Sequence, residues 1–175
     1  NPAVLVGGMR NATVLFKKDG ASAKMKETKT WIAHDGYISS LHFLEGNKYI
    51  SSGGDADARI FDLNSAATNT SLQTFKGHSL DCQSVKFARG VPAKNVFITC
   101  SSDKTVKMWD IRANKCVGNY ETDSELNSCA FFPTGDLIAC GGEKDKTYVF
   151  DVRAYKKVSK YARNNMKTAS IAWSK

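Results

Sequence analysis

The sequence predicts an all-β fold of repeated four-stranded blades, a β-propeller. Two observations carry this: a strand–turn–strand unit at residues 97–110 and its return at near-constant spacing along the chain. In FITCSSDKTVKMWD a short apolar strand runs into Ser101-Ser102-Asp103, turns, and re-emerges as Val106-Lys107-Met108-Trp109-Asp110. The aromatic that closes this turn aligns with Phe16, Phe61 and Phe150, so that the four stand 45, 48 and 41 residues apart. A period of about 40–45 residues is the length of one blade of this kind.

Each period resolves into short strands bounded by Gly, Asn, Asp and Ser clusters. The first gives Ala3–Gly7, Thr13–Phe16 and Glu27–Trp31; the second Ile38–Phe43, Tyr49–Ser52, Ala58–Asp62 and Leu72–Phe75. The third gives Cys82–Phe87, Val96–Cys100, Val106–Asp110 and Cys116–Tyr120; the fourth Ser128–Phe132, Leu137–Gly141, Thr147–Asp151 and Val158–Tyr161. A last strand, Ser170–Trp173, opens a further unit. The repeats therefore fall at about 1–32, 33–76, 77–120, 121–162 and 163–175, and the chain reads as a slice of a propeller. The interval Lys17–Lys29, with five lysines among Gly and Ser, reads as a flexible loop.

The turn at Asp103 carries a polar relay. An aspartate there can bond a hydroxyl on the incoming strand, an indole N–H on the outgoing strand and a histidine in the loop before the blade. Thr99 lies four residues before Asp103, Trp109 six after, and His78 follows Gly77 at the opening of the unit. A fully satisfied network of this kind stiffens a blade, whereas a half-made one weakens it. The second blade keeps His34, Ser51 and Asp55 and lacks only the indole, where Phe61 stands. In the fourth blade Lys144 replaces the aspartate, Cys140 replaces the hydroxyl, and Tyr120-Glu121-Thr122-Asp123 has no Gly-His. In the first blade Arg10 and Val6 stand at the same positions. Partners that leave together suit a network that costs more half-satisfied than absent. The relay is read as scaffolding and not as catalysis.

Composition is that of a soluble, intracellular β protein, with 42% hydrophobic and 24% charged residues and only three prolines. No apolar run approaches the roughly 18 residues of a membrane span. Five cysteines lack CxxC spacing; Cys82, Cys100, Cys129 and Cys140 fall on strands as reduced core residues, and Cys116 opens an outer strand and is the accessible one. Of three histidines, His34 and His78 belong to relays and His42 lies mid-strand without a nearby nucleophile. No phosphate loop or metal-ligand spacing is present, so neither catalysis, metal nor cofactor is expected.

The blade motif resembles the WD40 repeat, and the resemblance sharpens at particular residues. Residues 34–62, 77–87 and 127–151, with Val152-Arg153-Ala154, are similar to the middle blades of the heterotrimeric G-protein beta subunit. The Gly36-Tyr37-Ile38-Ser39 loop, the Phe131-Phe132-Pro133-Thr134-Gly135-Asp136 strand end and the Phe150-Asp151-Val152-Arg153-Ala154 exit go beyond a general WD40 repeat. The similarity runs from Gly7-Gly8 to the terminal Ala172-Trp173-Ser174-Lys175. It implies about four blades of a seven-bladed ring. The strands also permit a closed four-bladed ring, with Ser170–Trp173 against Ala3–Gly7, but the small glycines at Gly53-Gly54 and Gly141-Gly142 match the gentler inter-blade packing of the larger ring. The long loop Ala88–Asn95 and the missing Gly-His before Leu126 are similar to the divergent beta subunit that pairs with the gamma-like domain of an RGS protein.

The resemblance implies a binding function: holding the GDP-bound alpha subunit on the narrow end of the propeller, engaging effectors, and partnering a gamma subunit or gamma-like domain. It implies contacts by Met9, Asn11, Tyr37, Asp81, Glu125, Asn127 and Glu143. Tyr37 matches the family's aromatic contact, Met9 and Glu125 are conservative changes, and Gln83 replaces an apolar contact. It also places the protein in the cytoplasm, at the inner face of the plasma membrane within a complex. A WD40 adaptor outside G-protein signalling is the alternative. Residues 152–175 carry Arg153, Lys156, Lys157, Lys160, Arg163, Lys167 and Lys175 without an acid, within a net charge of +8. Such a surface suits peripheral contact with anionic lipid, an acidic partner, or a solvated edge that resists strand pairing. Aromatics interleaved for base stacking are absent, which argues against nucleic acid.

Overall fold

In the computed structural model, which describes residues 2–20, 24–87, 95–162 and 167–173, fifteen strands form four separate antiparallel sheets. The first sheet has β1 (Ala3–Gly7), β2 (Ala12–Lys18) and β3 (Met25–Ile32). The second has β4 (Ile38–Leu44), β5 (Lys48–Gly53), β6 (Ala58–Asp62) and β7 (Gln73–Phe75). The third has β8 (Cys82–Phe87), β9 (Val96–Ser101), β10 (Thr105–Asp110) and β11 (Lys115–Glu121). The fourth has β12 (Leu126–Phe131), β13 (Leu137–Gly142), β14 (Lys146–Asp151) and β15 (Lys156–Ala162). Within each sheet, neighbours in sequence pair in order, which is the up-and-down meander of a propeller blade.

Because side chains alternate across a strand, each blade offers one apolar row to the blade before it and another to the blade after. In the second blade Tyr49 and Phe61 face back to Leu15 and Trp31, while Ile50 and Ile60 face forward to Val85, Phe97 and Trp109. In the third, Ile98, Cys100, Val106 and Met108 pack on Leu126, Ile138, Tyr148 and Phe150. These side chains are almost fully buried, and each large one contributes roughly 1.5–3 kcal/mol on leaving water. The inner strands then stand side by side: β1 against β4, β4 against β8, and β8 against β12.

The inner strands β4, β8 and β12 share a bulge at one position, seen between Ile38 and Ser40, Cys82 and Ser84, and Leu126 and Ser128. That bulge bends each inner strand where the loop from the preceding blade arrives. Successive antiparallel strands therefore bring the β1–β2, β3–β4, β7–β8, β11–β12 and β13–β14 connections to one end of the arc.

Two sequence expectations are corrected here, the strand at Ser170–Trp173 and the loop over Lys17–Lys29. Ser170–Trp173 is not a strand: the Ile171 N–H donates to Ser128 Oγ at 3.1 Å and the Trp173 indole to the Ala130 carbonyl at 3.3 Å, so bonds involving side chains hold the segment to β12 in place of a ladder. Among the described residues β1 pairs only with β2, so no ladder joins residues 170–173 to Ala3–Gly7 and the ring is not closed that way. Within Lys17–Lys29, β2 runs through Lys18 and β3 starts at Met25, so most of that interval is hairpin strand; the two strands pair down to Lys18 and Met25. Of the expected long loop Ala88–Asn95, residues 88–94 lie outside the described residues, as do Arg163 and Lys175.

Candidate protein-binding face

The third-blade relay is complete but wired differently from the expectation. The Asp103 carboxylate reaches neither Thr99 nor Trp109. Instead, the Trp109 indole N–H donates to Thr99 Oγ1 at 2.8 Å, the Thr99 hydroxyl donates to His78 Nε2 at 2.7 Å, and His78 Nδ1–H donates to Asp103 Oδ2 at 2.8 Å. The histidine is the hub, because its two ring nitrogens span the distance between strand and turn that a short carboxylate does not. Asp103 also accepts the Ser79 N–H at 3.1 Å, the Thr105 N–H at 2.9 Å and the Thr105 hydroxyl at 2.7 Å. Burial pushes His78 below its ordinary value, partly opposed by Asp103; it stays neutral, as a chain with one donor and one acceptor nitrogen requires. Burial alone would raise the Asp103 carboxyl, but the bonds from Thr105 and His78 hold it below the usual range.

In the second blade His34 Nδ1–H donates to Asp55 Oδ1 at 2.7 Å, and the Ser51 hydroxyl donates to His34 Nε2 at 2.8 Å. Where the third blade has Lys107, this blade has Arg59, whose Nη2 donates to Asp55 at 2.9 Å and to Asp57 at 3.1 Å. Burial pushes Asp55 up, yet His34, the Asp35 N–H and Arg59 together bring its carboxyl down to about 2.

The fourth blade was expected to have lost its relay altogether, and here the structure differs again. Asp123 lies 27 residues before Phe150, as His34 lies 27 before Phe61. Its carboxylate accepts the Tyr148 hydroxyl and the Lys146 and Lys160 ammonium groups, the latter two at 3.0 Å, while Lys144 Nζ donates to the Asp123 carbonyl at 3.0 Å. The signs are exchanged: the acid sits in the loop and the base in the turn. A search for Gly-His misses this position, whereas the spacing to the turn aromatic finds it.

These relays brace the loops at the shared end of the arc. Tyr37, in the β3–β4 loop, donates its hydroxyl to Asp81 Oδ2 in the β7–β8 loop at 2.8 Å. Gln83 Nε2 donates to the Tyr37 oxygen at 3.0 Å and to Ser102 Oγ at 3.1 Å. Burial and the bond to Asp81 raise the Tyr37 phenol, so it remains a donor. Its ring lies over Gly54, where a Cβ would stand 2.5 Å from the ring edge, so only glycine admits it. Further round, the Asn127 amide donates to Glu143 Oε1 at 3.0 Å, and the Glu143 N–H donates to the Glu125 carbonyl at 3.1 Å. A Cβ on Gly142 would stand 2.1 Å from that carbonyl. Met9 is 89% exposed in the β1–β2 loop, where the Asn11 carbonyl accepts the Ala33 N–H at 2.8 Å. The structure thus joins Tyr37 to Asp81 and Asn127 to Glu143 and Glu125; Met9 and Asn11 stand beside them with no side-chain bond to either cluster among the described residues.

A family model described as "WD domain, G-beta repeat" matches residues 25–62, 69–110 and 114–151. The chain belongs to the WD40 family. Each matched WD40 repeat runs from the outer strand of one blade to the third strand of the next, so every loop from β3, β7 or β11 into the following blade lies inside a repeat. The chain is 28% identical over 173 residues to the guanine nucleotide-binding protein subunit beta of Zea mays, covering 92% of this chain and 44% of that protein. It is 28% identical over 171 residues to subunit beta-1 of Nicotiana tabacum, covering 91% and 44%. To the target of rapamycin complex subunit wat1 of Schizosaccharomyces pombe it is 29% identical over 107 residues, covering 61% and 33%. The WD40 chain therefore spans less than half the length of the curated relatives it matches. Its repeats are WD40 repeats of the G-beta type.

Proposed function

We propose that the rim bearing Tyr37, Asp81, Glu125, Asn127 and Glu143 holds the GDP-bound alpha subunit of a heterotrimeric G protein, and that effectors take the same face once it is vacated. The observation that carries this reading is the Tyr37–Asp81–Gln83 cluster, an aromatic held in place by polar bonds across two blades. A fixed aromatic ringed by polar groups has the composition of a binding hot spot, and it loses little side-chain freedom on binding. The names of the plant relatives support the choice of partner. In this reading the chain is a non-catalytic scaffold, nucleotide hydrolysis belongs to the alpha subunit, and the blades belong to a seven-bladed ring. A gamma subunit, or the gamma-like domain of an RGS protein, holds the complex at the inner face of the plasma membrane. The test is binding of the full-length protein to alpha subunit loaded with GDP or with a GTP analogue. Preference for the GDP form is expected, and equal affinity would overturn the proposal.

An adaptor role outside G-protein signalling is the second reading, favoured by the similarity to a target of rapamycin complex subunit. Failure to bind alpha subunit in either nucleotide state would support it.

A further inference from the structure

We propose that the lysine cage around Asp123 is a binding site for a phosphate monoester carried on a side chain of a partner protein. Three ammonium groups, those of Lys144, Lys146 and Lys160, converge on this one residue, two on its carboxylate and one on its carbonyl. The Asp123 carboxylate pairs with Lys146 and Lys160 and not with Lys144, so these three lysines and Asp123 sum to a formal charge of +2, with Asp145 between Lys144 and Lys146 in the chain. Tyr148 fixes the geometry: its hydroxyl bonds Asp123, and the Lys160 and Lys157 ammoniums stand 5.7 and 6.0 Å from its ring centroid. The Asp123 side chain is 49% exposed and the Lys160 side chain 36%, so the cage opens to solvent.

The chemistry selects the ligand. Asp123 is tethered and already satisfies two lysines, so a free monocarboxylate gains little by exchanging with it. A phosphate monoester brings a charge of about −1.5 to −2 and three acceptor oxygens, enough to bridge the ammoniums that Asp123 leaves under-neutralised. The flanking loop carries exposed Glu121 and Glu125, whose charges repel a broad anionic membrane but leave room for one protruding group. The cage therefore fits a phosphorylated side chain better than a lipid surface. Of the rim proposed for the alpha subunit only Glu125 borders this cage, as a flanking charge, and the cage does not depend on the identity of the partner proposed there.

The experiment is an NMR titration of the full-length protein, following the amides of residues 122–125. The probes are inorganic phosphate, N-acetyl-O-phosphoserine amide, N-acetylaspartate amide, and phosphatidylserine/phosphatidylcholine vesicles, each at matched ionic strength. Saturable shifts with the two phosphates, and not with the aspartate analogue or vesicles, are expected. Lys146→Gln and Lys160→Gln should each weaken phosphoserine binding by about tenfold, and exposed Lys144→Gln gives the same direction without risk to the fold. Asp123→Asn removes the internal competitor and should tighten binding. Shifts no larger than those from chloride, a response to vesicles alone, or weaker binding in Asp123→Asn would overturn the proposal.

Discussion

The Tyr37 hydroxyl donates to Asp81 across 2.8 Å, and the two residues belong to loops that enter different blades. This bond ties the second and third blades together at their exposed rim, and Gly54 lets the ring edge pack against the turn below it. Rigidity at the rim therefore depends on the relays beneath, which hold the turns in place.

Asp103→Ala should destabilise the protein by about 3 kcal/mol, since it strips the acceptor from His78, Ser79 and Thr105 at once. Lys144→Ala, at the same turn position of the fourth blade but exposed, should change stability by roughly 0.5 kcal/mol or less. Urea unfolding of the two variants measures the difference, and equal losses would contradict the blade-by-blade assignment of relay strength.

Stability should fall in two stages as the solution is acidified. The folded pKa of His78 is lowered, so the unfolded chain takes up its proton first, and stability declines once pH drops below about 6.5. The carboxyls of Asp55 and Asp103 are also lowered in the folded state, so their contribution is present above about pH 4 and is lost as pH falls through their folded values. Thermal melts from pH 8 to pH 3 should show both stages, and His78→Gln should remove part of the upper one. A melting temperature flat from pH 8 to pH 4 would count against the third-blade relay, and one flat from pH 4 to pH 3 would count against the carboxylate bonds of both relays.

Lys104 stands at φ +69° in the turn after Asp103, a left-handed conformation that costs a residue with a Cβ. Lys104→Gly should stabilise the chain by about 0.5–1 kcal/mol, because its Nζ carries no relay bond and glycine accepts that backbone freely. A destabilised variant, measured by the midpoint of urea unfolding, would mean that the side chain supports the turn.

Thiol chemistry should separate one cysteine from four. Cys116 is exposed, whereas Cys82, Cys100, Cys129 and Cys140 are buried, and burial raises the thiols of Cys82, Cys100 and Cys140. Brief alkylation of the native protein should give one adduct by mass spectrometry, at Cys116, and five after unfolding. Two or more native adducts would show that the inter-blade cores open.

Much of the fold was legible in the sequence because the signals repeat. β1, β6 and β8 begin and end where the apolar pattern and turn residues place them. β12 starts at Leu126, two residues before the pattern begins, because the bulge lets Leu126 pair with Gly142 out of alternation. Ser170–Trp173 has strand composition, yet pairing needs a neighbouring strand, and composition does not supply one. Relay positions could be read from spacing, but not the direction of the bonds: the reach of His78 between Thr99 and Asp103 is a matter of side-chain length. Asp123 carries no Gly-His signal, and only its spacing to Phe150 marks the position.

The most direct test of the account is the affinity of full-length protein for GDP-loaded alpha subunit before and after Tyr37→Ala. Loss of a central aromatic anchor should weaken binding by about 2 kcal/mol or more, roughly thirtyfold, while the unfolding midpoint moves little, since Tyr37 lies at the rim. Affinity within about threefold of the parent protein, with the variant fully folded, would contradict the assignment of this face.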